Sequence, residues 1–104
     1  MSIATLQAEL EKAMQDFVYA CYRYEDCLRN APTGLFVDRQ AYSAMCDKLD
    51  AERKARRKVI REMVKGLEVL PGGYEAVSDA RRGLDAWARV NGYREMLSIY
   101  EPLA

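Results

Sequence analysis

The residues whose type and spacing could support chemistry are basic, and they lie between residues 51 and 70. Seven basic and three acidic side chains there give a local net charge of +4, in a chain whose total charge is zero. The basic side chains at four-residue intervals predict one row along a helix, with a second row beside it: Arg53, Arg57, Arg61 and Lys65, then Lys54 and Lys58. Guanidinium groups on one face repel each other unless an anion lies opposite. The row therefore predicts a surface for phosphate or for an acidic partner.

A second interpretation is that these cations are neutralised within the chain. Three of them have a carboxylate four residues away, which predicts ion pairs along the helix: Asp50 with Lys54, Glu52 with Arg56, and Lys58 with Glu62. The remaining arginines have none at that spacing, but carboxylates of an earlier helix would lie opposite them in a hairpin: Glu9, Glu11 and Asp16 against Arg53, Arg57 and Arg61. Exposed pairs of this kind contribute only about 0–1 kcal/mol each. Both interpretations remain open from the sequence.

Tyrosine is the second unusual feature, with seven in 104 residues. Tyr19, Tyr22 and Tyr24 cluster around Arg23, and the helical spacing places Tyr24 with the apolar residues and the other two outside them. One interpretation is that Tyr19 and Tyr22 pack against later helices, as aromatic rings usually do. The other is an exposed aromatic surface, typical of protein-binding hot spots and of platforms for unpaired bases.

Catalysis and metal binding find little support. The chain has no histidine, so it lacks the usual base of a serine or cysteine nucleophile and the usual zinc ligand. Cys21, Cys27 and Cys46 are expected to be reduced thiols, and Cys46 a buried, inert one in an apolar stripe. The Gly72-Gly73 pair lacks the lysine of a phosphate-binding loop. We therefore expect no enzyme, no cofactor and no metal.

The segments that position these residues all have helical periodicity. We predict an all-α fold in which a long antiparallel hairpin, about 3–29 and 38–69, packs against two shorter helices, about 74–90 and 93–100. Ser2 and Asp38 are suitable N-caps, while Pro32 and the Leu70-Pro71-Gly72-Gly73 segment end helices. Residues 1–104 are expected to form a single helical domain. The N-terminus does not resemble a signal peptide and no stretch is long enough to span a membrane, so a cytoplasmic location is expected.

The apolar stripe of the second long helix is predicted to pass through Ala51, Ala55 and Val59. A hairpin that turns symmetrically about residues 31–37 would then place Phe17 near Ala51 and Leu10 near Val59. In this register a large side chain faces a small one, which fills the seam without voids.

These observations favour a small non-catalytic binding protein, an inhibitor or adaptor that occupies a surface of a larger partner. A nucleic-acid-handling complex is a special case of such a partner. The predicted contact residues are basic and aromatic: Arg53, Lys54, Arg57, Lys58, Arg61 and Lys65, with Tyr19, Tyr22 and Arg23. The alternative is direct binding of single-stranded nucleic acid through the same basic face, with tyrosine stacking. A third hypothesis is a homodimer in which two chains pack along the apolar stripe of the first helix.

Overall fold

Three α-helices make up the described part of the chain, residues 2–31, 34 and 38–93 of a computed structural model. They are α1 (Ile3–Arg29), α2 (Arg39–Glu68) and α3 (Gly73–Val90), and these residues contain no strand. The predicted all-α fold with two long helices is confirmed. The predicted fourth helix at 93–100 lies outside the described residues except for Tyr93. The backbone N–H of Tyr93 donates to the carbonyl of Ala88, 2.7 Å away.

The helices begin where the predicted capping residues stand. The Ser2 hydroxyl accepts a hydrogen bond from the backbone N–H of Thr5, and the Asp38 carboxylate accepts one from the backbone N–H of Ala41. Each bond satisfies a donor that the first helical turn would otherwise leave without a partner. Both predicted N-caps are therefore confirmed.

Contacts between side chains define the direction of each helix. Arg23 and Cys27 of α1 contact Glu52 and Cys46 of α2, so the residue number falls along α2 as it rises along α1. The two helices are therefore antiparallel. Glu11 and Tyr19 of α1 lie beside Gly83 and Trp87 of α3 in the same order, so α3 runs parallel to α1. The helices form an up-down-up bundle.

The predicted register of the hairpin is wrong by about one helical turn. Asp16 contacts Arg56, which places Phe17 beside this part of α2 and not beside Ala51. Val59 is 49 % exposed, whereas the next residue, Ile60, is fully buried with Leu10 in the core. The prediction assumed that the chain turns symmetrically about residues 31–37. This assumption was wrong, because periodicity along a helix carries no information about the conformation of the connecting loop.

The apolar core lies at one end of the molecule, where all three helices meet. α2 contributes buried residues only from its last third, Ile60, Val64 and Leu67. The other two helices contribute six each: Leu10, Met14, Phe17, Val18, Ala20 and Cys21 from α1, and Gly73, Ala76, Val77, Ala80, Leu84 and Ala88 from α3.

The opposite end of the molecule is a two-helix segment that we call the arm, residues 22–29 of α1 and 39–50 of α2. No residue of the arm is buried, and Leu28 and Met45 are 48 % and 56 % exposed. The molecule is correspondingly elongated, with extents of 59 × 25 × 20 Å.

A tight turn joins α2 to α3. Gly72 has a φ of 77°, a left-handed conformation that favours glycine. A Cβ on Gly73 would lie 1.6 Å from the Leu67 carbonyl oxygen, so only glycine allows α3 to begin this close to the end of α2. This approach sets the position of α3 against the hairpin.

Candidate functional site

The predicted row of basic side chains is not straight in the structure. Arg53 and Arg57 are half-buried in the seam with α1, whereas Arg61 and Lys65 are exposed. The cause is helical geometry: four residues exceed one turn of 3.6, so each step of four rotates the side chain by about 40° around the axis. The expectation that all the arginines face outward is therefore wrong for Arg53 and Arg57.

Arg53 is satisfied within the hairpin. Its guanidinium lies 4.4 Å from the centroid of the Tyr24 ring, and it pairs with Asp50 one turn earlier. Only 29 % of its side chain is exposed. The sequence did contain a signal for this pair, since a spacing of three residues also brings side chains together on a helix. Arg53 therefore packs in the seam between α1 and α2 and does not join the exposed cations of α2.

The second interpretation, that cations of the basic block are neutralised within the chain, holds for Arg53, but its partner is not a carboxylate of α1. Of the three carboxylates considered, Asp16 pairs across the seam, and its partner is Arg56 at 3.8 Å. Glu11 lies instead beside α3, where its carboxylate comes within 2.5 Å of the position of a Cβ on Gly83. The Nε atom of Arg57 is buried and has no hydrogen-bond partner among the described residues.

The predicted pairs along α2 form in two cases of three. Lys54 lies 3.0 Å from Asp50 and Arg56 lies 3.4 Å from Glu52, as predicted. The hydrogen bond from Lys54 is the main cause that lowers the pKa of Asp50, and Arg53 adds to it. The third predicted pair, Lys58 with Glu62, is absent from the ion pairs of the described residues.

Four cations and a row of small apolar side chains remain exposed on the side of α2 that points away from the bundle. We call this surface the outer face of α2; it consists of Lys54, Lys58, Arg61 and Lys65, beside Ala51, Ala55 and Val59. Lys58, Arg61 and Lys65 have no carboxylate within ion-pair distance in the described chain. The outer face therefore combines three cations that form no ion pair among the described residues with apolar contact area, and the exposed Glu62 lies between them in sequence.

The tyrosines of α1 lie elsewhere. Tyr19 meets Trp87 edge-on at a centroid distance of 5.4 Å, and Tyr22 meets Tyr93 in the same way at 5.5 Å. Trp87 and Tyr93 stack on each other at 5.4 Å. The interpretation that Tyr19 and Tyr22 pack against later residues is confirmed, although 41 % and 45 % of each remain exposed.

Arg23 lines the same groove as Tyr22 but takes no part in the aromatic contacts. Its guanidinium turns towards α2 and pairs with Glu52 at 2.7 Å. The Tyr19 ring contacts Trp87 of α3 and the Tyr22 ring contacts Tyr93 just after its end, whereas the outer face of α2 is directed away from the bundle. The structure therefore separates Tyr19 and Tyr22 from the basic residues of the outer face.

Two cysteines form a pair that the sequence did not indicate. The sulfur atoms of Cys27 and Cys46 lie 3.2 Å apart across the arm, and both residues are half-buried. Cys46 is thus neither isolated nor fully buried, contrary to the expectation. The incorrect register hid this pair, because it placed Cys27 opposite an earlier residue of α2. Cys21, in contrast, is buried in the core, and burial raises the pKa of its thiol to about 11.

Comparison with protein-family models, with curated proteins and with solved structures finds no match to this chain. Within the described ranges, no three histidine, cysteine or carboxylate side chains are grouped in a way that could hold a metal ion. None of α1, α2 and α3 is both long and apolar enough to cross a membrane.

Proposed function

We propose that this protein is a small non-catalytic binding protein, and that the outer face of α2 binds an acidic helix of a larger protein. The observation that carries the proposal is the exposure of Lys58, Arg61 and Lys65, none of which forms an ion pair in the described chain. From Lys54 to Lys65 the face is about 16 Å long at 1.5 Å per residue, the length of three turns of a partner helix. Occupying the partner's surface would make the protein an inhibitor or adaptor, acting in the cytoplasm.

The apolar row beside the cations favours a protein over a nucleic acid. Ala51, Ala55 and Val59 are exposed at four-residue intervals, and small side chains allow another helix to approach closely. The acidic side chains of such a helix would lie against the cations, while its apolar side chains would cover Val59. Single-stranded nucleic acid remains the alternative. It would use the same cations, but Tyr19 and Tyr22 are too far round the bundle to stack its bases.

The proposal is tested with two variants that each remove three positive charges. The first is Lys58→Gln/Arg61→Gln/Lys65→Gln, on the outer face. The matched control is Lys12→Gln/Arg82→Gln/Arg89→Gln, whose side chains are 69 %, 80 % and 59 % exposed on the other two helices.

The measurement is photocrosslinking in the native host, from a photoreactive residue at position 55, with and without nuclease treatment. We expect capture of an acidic protein that resists nuclease. The outer-face variant should bind it about tenfold more weakly, since three solvated ion pairs of about 0.5 kcal/mol each are lost. The control variant should bind like the wild type. Equal losses in both variants would contradict the proposal.

The alternative is tested with a labelled single-stranded oligonucleotide at low and moderate salt. Binding that weakens steeply with salt and depends on Lys58, Arg61 and Lys65 would replace the protein partner by nucleic acid. Weak binding that is indifferent to salt and to both variants would remove the alternative.

A further inference from the structure

The cysteine pair of the arm has a geometry close to that of a covalent bond. The Cys27 and Cys46 sulfur atoms are 3.2 Å apart, and a disulfide has a sulfur–sulfur distance of about 2.05 Å. Closing the remaining gap requires a movement of about 1 Å. The two residues stand on different helices, so a bond between them would link α1 to α2.

The surroundings of the pair permit that movement. No side chain of the arm is buried, so its helices can approach each other without disturbing a packed core. The main polar contact here is the Tyr42 hydroxyl, which donates a hydrogen bond to the Cys27 carbonyl oxygen at 2.9 Å. This bond holds the first turns of α2 against the end of α1, where the thiols meet.

A solvent-open groove gives reagents access to Cys27, one of the two thiols. It has a volume of about 440 Å³ and is lined on one side by Cys27 and on the other by Tyr42, Met45 and Leu49. Cys21 is fully buried and lies outside the groove. A small oxidant therefore reaches Cys27 before it reaches the buried Cys21.

We propose that Cys27 and Cys46 are a reversible redox site that forms an intramolecular disulfide by exchange with a small-molecule disulfide. The thiolate of one cysteine attacks the oxidant, forms a mixed disulfide and releases one thiol. The thiolate of the second cysteine then displaces the other half of the oxidant as a second thiol. The two cysteines lose two electrons and two protons, which the two sulfur atoms of the oxidant gain.

The disulfide would join the two helices of the arm covalently, where no buried core holds them together. The core holds the three helices together at the opposite end, whereas no residue of the arm is buried around the pair. Oxidation therefore fixes the arm, and reduction releases it. This inference is independent of the outer face of α2, whose cations begin beyond the arm.

The site is tested by treating the reduced protein with oxidised glutathione and mapping the products by mass spectrometry under denaturing, thiol-blocking conditions. We expect the intact mass to fall by two hydrogens, a peptide that joins Cys27 to Cys46, and one blocked thiol at Cys21. Excess reduced thiol should reverse the change. A link that includes Cys21, glutathione retained on Cys27 or Cys46, or mainly covalent dimers would overturn the proposal.

Two further measurements show that the bond acts on the arm. Oxidation should raise the Tm by roughly 10 °C, because it closes a loop of about twenty residues. Amide hydrogen exchange should slow in residues 22–29 and 39–50 and stay unchanged in α3. Cys27→Ser and Cys46→Ser should each abolish both effects, and Cys21→Ala should keep them. Unchanged exchange in the arm of the mapped disulfide form would contradict the role of the bond.

Discussion

Arg53 shows how a single side chain contributes to the packing between α1 and α2. The guanidinium contacts the Tyr24 ring and pairs with Asp50, while its aliphatic stem fills the seam that the prediction gave to alanine. A long cationic side chain can therefore serve as packing material between two helices. Spacing predicted correctly that the basic residues share a helix. It did not predict which of them face α1, because a helix's rotation depends on what packs against it.

Cys21 gives a prediction about alkaline stability. Burial raises its thiol pKa in the folded protein to about 11, from 9.0 in the unfolded chain, although Arg53 opposes the shift. The folded state thus binds the proton more tightly. The stabilisation of the folded state that results from this raised pKa is complete below pH 9 and is lost as the pH rises towards 11.

The check is urea unfolding of the wild type and of Cys21→Ala at several pH values from 8 to 11, with reductant present. The difference in the free energy of unfolding should shrink by up to about 2 kcal/mol across this range. Cys27 and Tyr42, whose pKa values are also raised, are present in both proteins and cancel. A constant difference would show that the Cys21 thiol does not titrate in this way.

At the scale of the elements, the sequence predicted the helices well and their arrangement less well. The ends of α1, α2 and α3 agree with prediction to within one residue, because caps and helix-breaking residues are local signals. Register and rotation depend on the loop between α1 and α2 and on contacts far apart in sequence. The cysteine pair and the seam contacts of Arg53 therefore became visible only in the folded chain.

The rotation of α2 is tested by two adjacent substitutions. Ile60 is fully buried, whereas Val59, which the predicted stripe placed in the seam, is 49 % exposed. Ile60→Ala should lower the free energy of unfolding by about 2–5 kcal/mol, since it removes core contacts and leaves a cavity. Val59→Ala should change it by less than about 0.5 kcal/mol. Similar losses measured by denaturant unfolding would support the predicted rotation over the observed one.

At the scale of the whole molecule, the apolar stripe of α1 is buried inside the bundle. Leu10, Met14 and Phe17 of α1 are buried against α2 and α3, so the surface proposed for a homodimer is already covered. The radius of gyration of 16.3 Å exceeds the roughly 13 Å of a compact chain of this length, because the arm extends beyond the core.

We therefore expect a monomer at micromolar concentration. Light scattering should give a mass near 11.9 kDa, and the elution volume should be smaller than that of a compact protein of equal mass. A mass twice as large, unchanged by reductant, would indicate self-association through another surface. The outer face of α2 would then be the first surface to examine, with its three-charge variant as the control.

The position of α1 in the chain has a consequence for biosynthesis. The helix against which both others pack is translated first, and its apolar side chains have no partner until the last third of α2 has left the ribosome. Until then Leu10, Met14 and Phe17, which are buried in the folded protein, are exposed on the nascent chain. Because all three helices contribute to the core, we expect it to form only after α3 has been synthesised.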